Sequence, residues 1–216
     1  MAEKGKLIVF EGGDGSGKTK HIEALKTALE TRDFQVRTTR EPGGTPLGKI
    51  IRTILFDKQN ELSPEEEIFL FFTDRSYHLR RVVSPSLEKG MFILQDRSYF
   101  STWAYQIRGS QLGEEHQDLF YVLLERVVGN LRPDFVFLLD IDPEKGLLRT
   151  RGRGEQPTAF EQKDLDYHHR VREGLKEIVQ SQMDEHECAI IDTSRPFEEV
   201  HGEIKSVLAE RLGINL

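Results

Sequence analysis

The sequence predicts an α/β fold, a mostly parallel sheet covered by helices on both faces. Two observations lead there. Short apolar runs of strand length alternate with longer segments of helical spacing. A glycine-rich turn sits between the first apolar run and the first amphipathic segment, where such sheets open their ligand crevice.

The elements follow in order. "KLIVF" (6–10) is the first strand, and Ile22, Leu25, Ala28 and Leu29 then recur on one helical face. "QVRTT" (35–39) is the second strand. "SPEEE" (63–67) starts a helix, with Ser63 as cap, Pro64 at the first position and Glu66 completing a capping box. That helix is expected to run to about residue 89, disturbed at Pro85. "MFILQ" (91–95), "DFVFLL" (134–139) and "CAIID" (188–192) are the remaining strands. No repeat or long linker divides the chain, so one domain over 1–216 is expected.

Composition excludes several classes. The formal net charge of −7 argues against a partner made of polymeric nucleic acid, which asks for a broad basic face. No run of about 18 apolar residues suggests a membrane span. "MAEKGKLIVFEGG" reaches glycines and acids too soon for a signal peptide. The single cysteine, Cys188, excludes an internal disulfide and suits a reducing compartment, so a cytoplasmic location without membrane attachment is expected.

The strongest motif is "GGDGSGKT" (12–19), which fits G-x-x-x-x-G-K-[ST] through Gly12, Gly17, Lys18 and Thr19. Gly12, Gly13, Asp14, Gly15, Ser16 and Gly17 form a turn whose N–H groups cradle phosphates, backed by a helix N-terminus. Lys18 reaches the outer phosphates and the Thr19 hydroxyl is a Mg²⁺ ligand. A nucleoside triphosphate is the implied ligand. Asp96, closing the strand "MFILQD", stands where an acid helps hold magnesium. A P-loop alone does not separate switch, motor and kinase. No N-K-x-D guanine motif is present. Arg40, Arg52, Arg75, Arg97 and the run Arg149, Arg151, Arg153 favour a small-molecule kinase, because transfer between anions needs cations at several points. Taken singly, each arginine reads equally well as a solvated salt-bridge partner.

With these residues in place, the chain resembles the bacterial thymidylate kinases. "FEGGDGSGKT", "TREPGGTPLG" (39–48), "LFFTDR" (70–75), "DRSYFSTWAYQ" (96–106) and the arginine-rich segment match in order and spacing over nearly the whole chain. The resemblance implies a P-loop kinase three-layer sandwich, with a five-stranded parallel sheet, flanking helices, a mobile lid at about 149–162 and a homodimeric state. It also implies transfer from ATP to dTMP with Mg²⁺ as cofactor, in the supply of dTTP. Asp14 falls near the acceptor sugar's 3′-hydroxyl. Phe71 falls where an aromatic stacks on thymine, and Arg75 where an arginine reads a thymine carbonyl. Arg97 and Arg52 fall at the acceptor phosphate, with Arg40 placed less securely near the loop "EPGG". Thr102 and Gln106 fall beside the base. Tyr105 falls against the sugar, although a buried core tyrosine stays open. "DTSRP" (192–196) borders the adenine.

The arginines of 149–153 read as part of a lid over the ATP phosphates. Arg149 and Arg153 share a helical face and Arg151 turns away. The family places its mobile catalytic arginine either in the P-loop, where this chain has Gly15, or in the lid, where Ala159 opens "AFEQ" (159–162). Both places are empty of arginine, so Arg153, or else Arg151, is the expected substitute beside Lys18, Asp14 and Arg97. Two other readings remain: a deoxynucleoside kinase acting on thymidine, and a non-catalytic nucleotide-binding module. "REPGGT" and the Phe71–Arg75 spacing favour a monophosphate acceptor.

Overall fold

The computed structural model describes residues 5–152, 158–182 and 187–216. All five expected strands form, each within a residue of the sequence reading: β1 (Leu7–Glu11), β2 (Val36–Arg40), β3 (Phe92–Asp96), β4 (Phe135–Asp140) and β5 (Glu187–Asp192). They pair in parallel in the order β2-β3-β1-β4-β5. The chain runs outward from β1 to one edge and then to the other, so the topological switch lies at β1. In an open parallel sheet the ligand crevice lies at that point, beyond the strand carboxyl ends.

Strand alternation sorts the core into two layers. Leu7, Val9, Ile93, Val136 and Leu138 face one side and join residues of α3 (Pro64–His78), α6 (Glu114–Val127) and α8 (Leu165–Ser181). Ile8, Phe10, Leu94, Phe135, Phe137 and Leu139 face the other and meet α1 (Lys18–Glu30) and α9 (Phe197–Leu212). Helix, sheet and helix make three layers, as expected. Ile22, Leu25 and Leu29 are the buried apolar residues of α1.

The Ser63–Glu66 capping box is present in both directions, at 3.2 and 2.7 Å. The long helix is interrupted rather than straight: α3 widens into a π-helical turn, Leu79–Val83, before α4 (Ser84–Glu88). Pro85 lacks an N–H and its ring crowds the carbonyl four residues back, and the wider turn takes up that strain. The same device recurs after β3, where α5 (Tyr99–Thr102) passes into a π-helical Trp103–Gly109. Two further helices, α2 (Pro46–Phe56) and α7 (Pro143–Arg151), stand at the carboxyl end of the sheet. No helix among the described residues is long and apolar enough to cross a membrane.

Candidate active site

A cavity of about 1590 Å³ opens at the switch point. Sites for single small ligands usually measure about 300–1,000 Å³, so this one has room for two. One end is walled by the P-loop, α7 and the start of α9, the other by α2, α3 and the π-helical turn after α5.

The P-loop links β1 to α1. Gly17, at φ 89, is the N-cap of α1, and Thr19 is exposed to the cavity. Lys18 is buried and donates to the carbonyls of Gly12 (3.0 Å) and Gly13 (3.1 Å) and to Ser16 Oγ (3.4 Å). Burial first, and then Arg97, push its ammonium down to about 8. Thus the lysine folds back on its own loop with no carboxylate partner among the described residues, as a group kept for an anion does.

Asp14 and Arg97, 83 residues apart, form the centre of the cavity. Arg97 Nη2 donates to Asp14 Oδ1 at 2.8 Å and to the Tyr105 hydroxyl at 3.1 Å, while Nη1 donates to Ser101 Oγ at 3.0 Å. The Tyr105 hydroxyl donates to Asp14 Oδ2 at 3.3 Å. Arg97 lies at φ 67, a left-handed conformation uncommon outside glycine and often met at functional turns. Glu11 fixes that turn. It is fully buried, accepts from Ser98 N (2.6 Å) and Ser101 N (3.3 Å) on one oxygen, and from Ser101 Oγ (2.6 Å) on the other. Burial raises its pKa, against the pull of Arg97.

Arg52 Nη1 donates to the carbonyl of Pro42 at 3.1 Å, and its guanidinium lies 4.1 Å over the Phe56 ring. Burial, then the charges of Arg40 and Arg97, bring its pKa down to about 10. Three guanidiniums therefore converge on one part of the cavity, and no carboxylate is hydrogen-bonded to Arg52 or Arg40 among the described residues.

The far end is aromatic. Phe71 is half-buried and tilted against Phe160, centroid to centroid 6.4 Å; Phe160 also meets Phe56 at 5.7 Å and Tyr105 at 6.1 Å. Arg75 lines this end with only 1% of its surface exposed. Its Nε donates to Glu41 at 2.7 Å and its Nη2 to Thr102 Oγ1 at 3.1 Å, whereas Nη1 is buried without a partner. Glu41 also accepts from His78 Nδ1 at 2.9 Å. Burial works against the Glu41 charge, but Arg75 and His78 outweigh it and hold its pKa below the usual range. Gln106 Nε2 donates to Glu67 at 3.0 Å, and its carbonyl oxygen is left buried and unpartnered.

Of the segment 149–162, expected from the resemblance to act as a lid, Arg149–Gly152 and Thr158–Gln162 are described; Arg153 lies outside the described residues. Arg149 donates to the carbonyls of Thr193 (3.1 Å) and Gly15 (3.5 Å), tying α7 to both the P-loop and the turn after β5. Arg151 is exposed and borders the cavity. Thr158 and Glu161 cap one another, at 2.8 and 3.2 Å, with Ala159 and Phe160 between them.

For a magnesium ion the donor set is hard oxygen, as that ion demands. Asp96 and Thr19 both border the cavity, and Asp96 Oδ1 is buried without a hydrogen-bond partner. These residues fit such an ion, whose charge would offset that of phosphate oxygens.

Glu11, Glu41, His78, Phe56 and Phe160 are the site residues that sequence reading passed over. A glutamate closing an otherwise apolar strand was the available signal for Glu11, and a lone phenylalanine in a polar stretch for Phe160.

Comparison with known proteins then gives a family. The family model described as thymidylate kinase matches residues 10–204. A thymidylate kinase of Deinococcus radiodurans is 37% identical over 208 residues, covering 96% of this chain and 98% of that protein. One from Carboxydothermus hydrogenoformans is 37% identical over 95% of this chain and 97% of its own length. One from Gloeobacter violaceus is 43% identical over 80% of this chain and 81% of its own length. A match that spans the P-loop, the Asp14–Arg97 centre and the aromatic end together leaves one assignment: the chain belongs to the thymidylate kinase family of P-loop nucleoside monophosphate kinases.

Proposed function

We propose that this chain transfers the γ-phosphoryl group of Mg-ATP to the 5′-phosphate of dTMP, giving ADP and dTDP. The observation that carries the reading is the convergence of Arg40, Arg52 and Arg97 beside an aromatic slot. An acceptor that already bears a phosphate meets those charges, and its base meets Phe71 and the free Nη1 of Arg75.

The chemistry then needs little acid–base help. A phosphate oxygen of dTMP attacks the γ-phosphorus in line as the bond to the ADP oxygen breaks, with no proton to remove from the nucleophile. Lys18 and Arg97 stabilise charge on the migrating group, and Asp14 and Tyr105 hold Arg97 and the acceptor sugar in position. Thr19 and Asp96 would hold magnesium. A thymidine kinase would need a carboxylate base at the 5′-hydroxyl. Glu11 is poorly suited to that task, since both its oxygens are engaged by Ser98 and Ser101.

The remaining cation for transfer is assigned to Arg153, or in second place Arg151. A cytoplasmic homodimer is also proposed. Exposed Ile50 (61%) and Ile54 on α2, Phe69 on α3 and Val122 (66%) on α6 support a paired surface.

The test is ADP formation with Mg-ATP against dTMP, dUMP, thymidine, dGMP and no acceptor. Strong preference for dTMP is expected. Preference for thymidine would overturn the roles of Arg52 and Arg97, and ATP binding with no turnover on any acceptor would leave a binding module.

A further inference from the structure

We infer that Phe197 is the platform on which the base of the triphosphate donor stacks, with His21 and His201 packed against its other side. The inference rests on the proposed function only in taking a nucleoside triphosphate as ligand.

Phe197 opens α9, just after the turn Thr193–Arg195, and borders the cavity together with Arg149, Thr193, Arg195 and His21. That is the end of the cavity beyond the P-loop, away from Phe71 and Arg75. A phenylalanine at the first position of a helix is more than a third exposed here, at 36%, and part of that surface faces a ligand cavity.

Three rings lie almost parallel. His21 and Phe197 are 4.6 Å apart with 13° between planes, Phe197 and His201 5.6 Å with 7°, and His21 and His201 5.9 Å with 19°. Were Phe197 sandwiched between the imidazoles, their planes would stand about 7 Å apart, twice the van der Waals separation of about 3.5 Å. At 5.9 Å they do not, so one face of Phe197 is free of both imidazoles. Burial, His201 and Lys20 bring His21 down to about 4, and burial lowers His201 as well, so the supporting rings are neutral at pH 7. A neutral aromatic stack held from behind presents a π-face to a flat base.

Two neighbouring arginines are otherwise engaged. Arg149 spans Gly15 and Thr193, and Arg195 bonds to Glu203 and to the Asp192 carbonyl. Stacking discriminates weakly among bases, because every base has a π-face. Purine donors, with the larger ring area, are expected to be preferred over pyrimidine donors, and ATP over GTP only modestly.

The experiment is equilibrium binding of ATP and of inorganic tripolyphosphate to the full chain, by calorimetry, for the wild type, Phe197→Ala, Phe197→Leu and Phe197→Trp. Loss of a base–aromatic stack weakens ATP about tenfold to a hundredfold in Phe197→Ala. Tripolyphosphate, which has no base, should bind as before, and this also reports an intact P-loop. Phe197→Leu should recover little and Phe197→Trp most of the loss. ATP affinity within twofold of wild type in Phe197→Ala overturns the proposal. So does an equal loss for tripolyphosphate, which would make Phe197 a support of the P-loop instead. Because binding is read without turnover, an inactive wild type would count against the proposed reaction and not against the platform.

Discussion

Arg97 Nη2 stands 2.8 Å from Asp14 Oδ1 and 3.1 Å from the Tyr105 hydroxyl, so one guanidinium joins the P-loop, the end of β3 and the helix beyond it. Both charged side chains are about four-fifths buried, at 19% and 18% exposure. A cation fixed in this way needs no reorganisation as charge develops nearby, which is what makes such donors effective.

Removal of that donor is the first prediction. Arg97→Met should lower kcat with dTMP by about 10²–10³, the usual cost of one transition-state donor. Tyr105→Phe keeps the ion pair and deletes one hydroxyl, a change of about 1 kcal/mol. It should appear as a rise of roughly tenfold or less in KM for dTMP. Steady-state kinetics on both variants check the contrast. Equal losses in kcat would mean that the Tyr105 hydroxyl matters to the transition state as much as Arg97 does.

Lys18 carries a pH signature. Its pKa is near 8 in the ligand-free site because burial and Arg97 oppose its charge. Phosphates at the same place favour the charged form and raise the value. Binding therefore takes up protons between about pH 8 and 10, and ATP affinity falls as pH rises through the ligand-free value near 8. Calorimetry at pH 8.5 in buffers of different ionisation enthalpy should show net proton uptake. Lys18→Met should abolish both the uptake and most of the affinity.

Asp74 gives a stability prediction of opposite sign to most carboxylates. The residue is 1% exposed, Gly48 packs against it, and burial followed by Glu41 raises its pKa to about 6, against the pull of His78, Arg75 and the Gly43 N–H. The folded state therefore holds a proton that the unfolded chain has released. The cost is absent below about pH 4, grows as pH rises toward 6, and is complete above it. Asp74→Asn should stabilise the protein by about 2–3 kcal/mol at pH 8 and by nearly nothing at pH 4. Urea midpoints at the two values test it. A gain that does not vary with pH would assign the effect to packing.

The sequence made some of this legible and hid the rest for physical reasons. The strands were readable because β1, β3 and β4 are buried on both faces and so appear as unbroken apolar runs. The P-loop was readable because its parts are adjacent in the chain. Arg75 could be named from its motif, but its tether to Glu41 spans 34 residues and leaves no local pattern. Phe160 reads as a stray aromatic until Phe56, Phe71 and Tyr105 are seen around it. The π-helical turns had no periodic signal, since each adds only a local widening to a helix.

The source of the last cation yields the final prediction. Gly15 has φ 75, and a Cβ there would overlap the Gly146 carbonyl of α7; a Cβ on Gly146 would in turn overlap the carbonyl of Asp14. P-loop and α7 pack backbone against backbone at this point, so an arginine at position 15 does not fit this arrangement. The lid is the remaining source, and its family position is Ala159. Arg153→Ala should therefore lower kcat at least tenfold, within an effect that reaches about 10³–10⁵ for a full transition-state arginine. Adding Ala159→Arg to that variant should restore most of the rate, because the capped turn of Thr158 and Glu161 holds position 159 between two cavity-lining residues, Thr158 and Phe160. Single-turnover transfer to dTMP measures both. If Arg153→Ala stays within about threefold of wild type while Ala159→Arg alone raises the rate, the chain lacks this cation and works as a slower kinase.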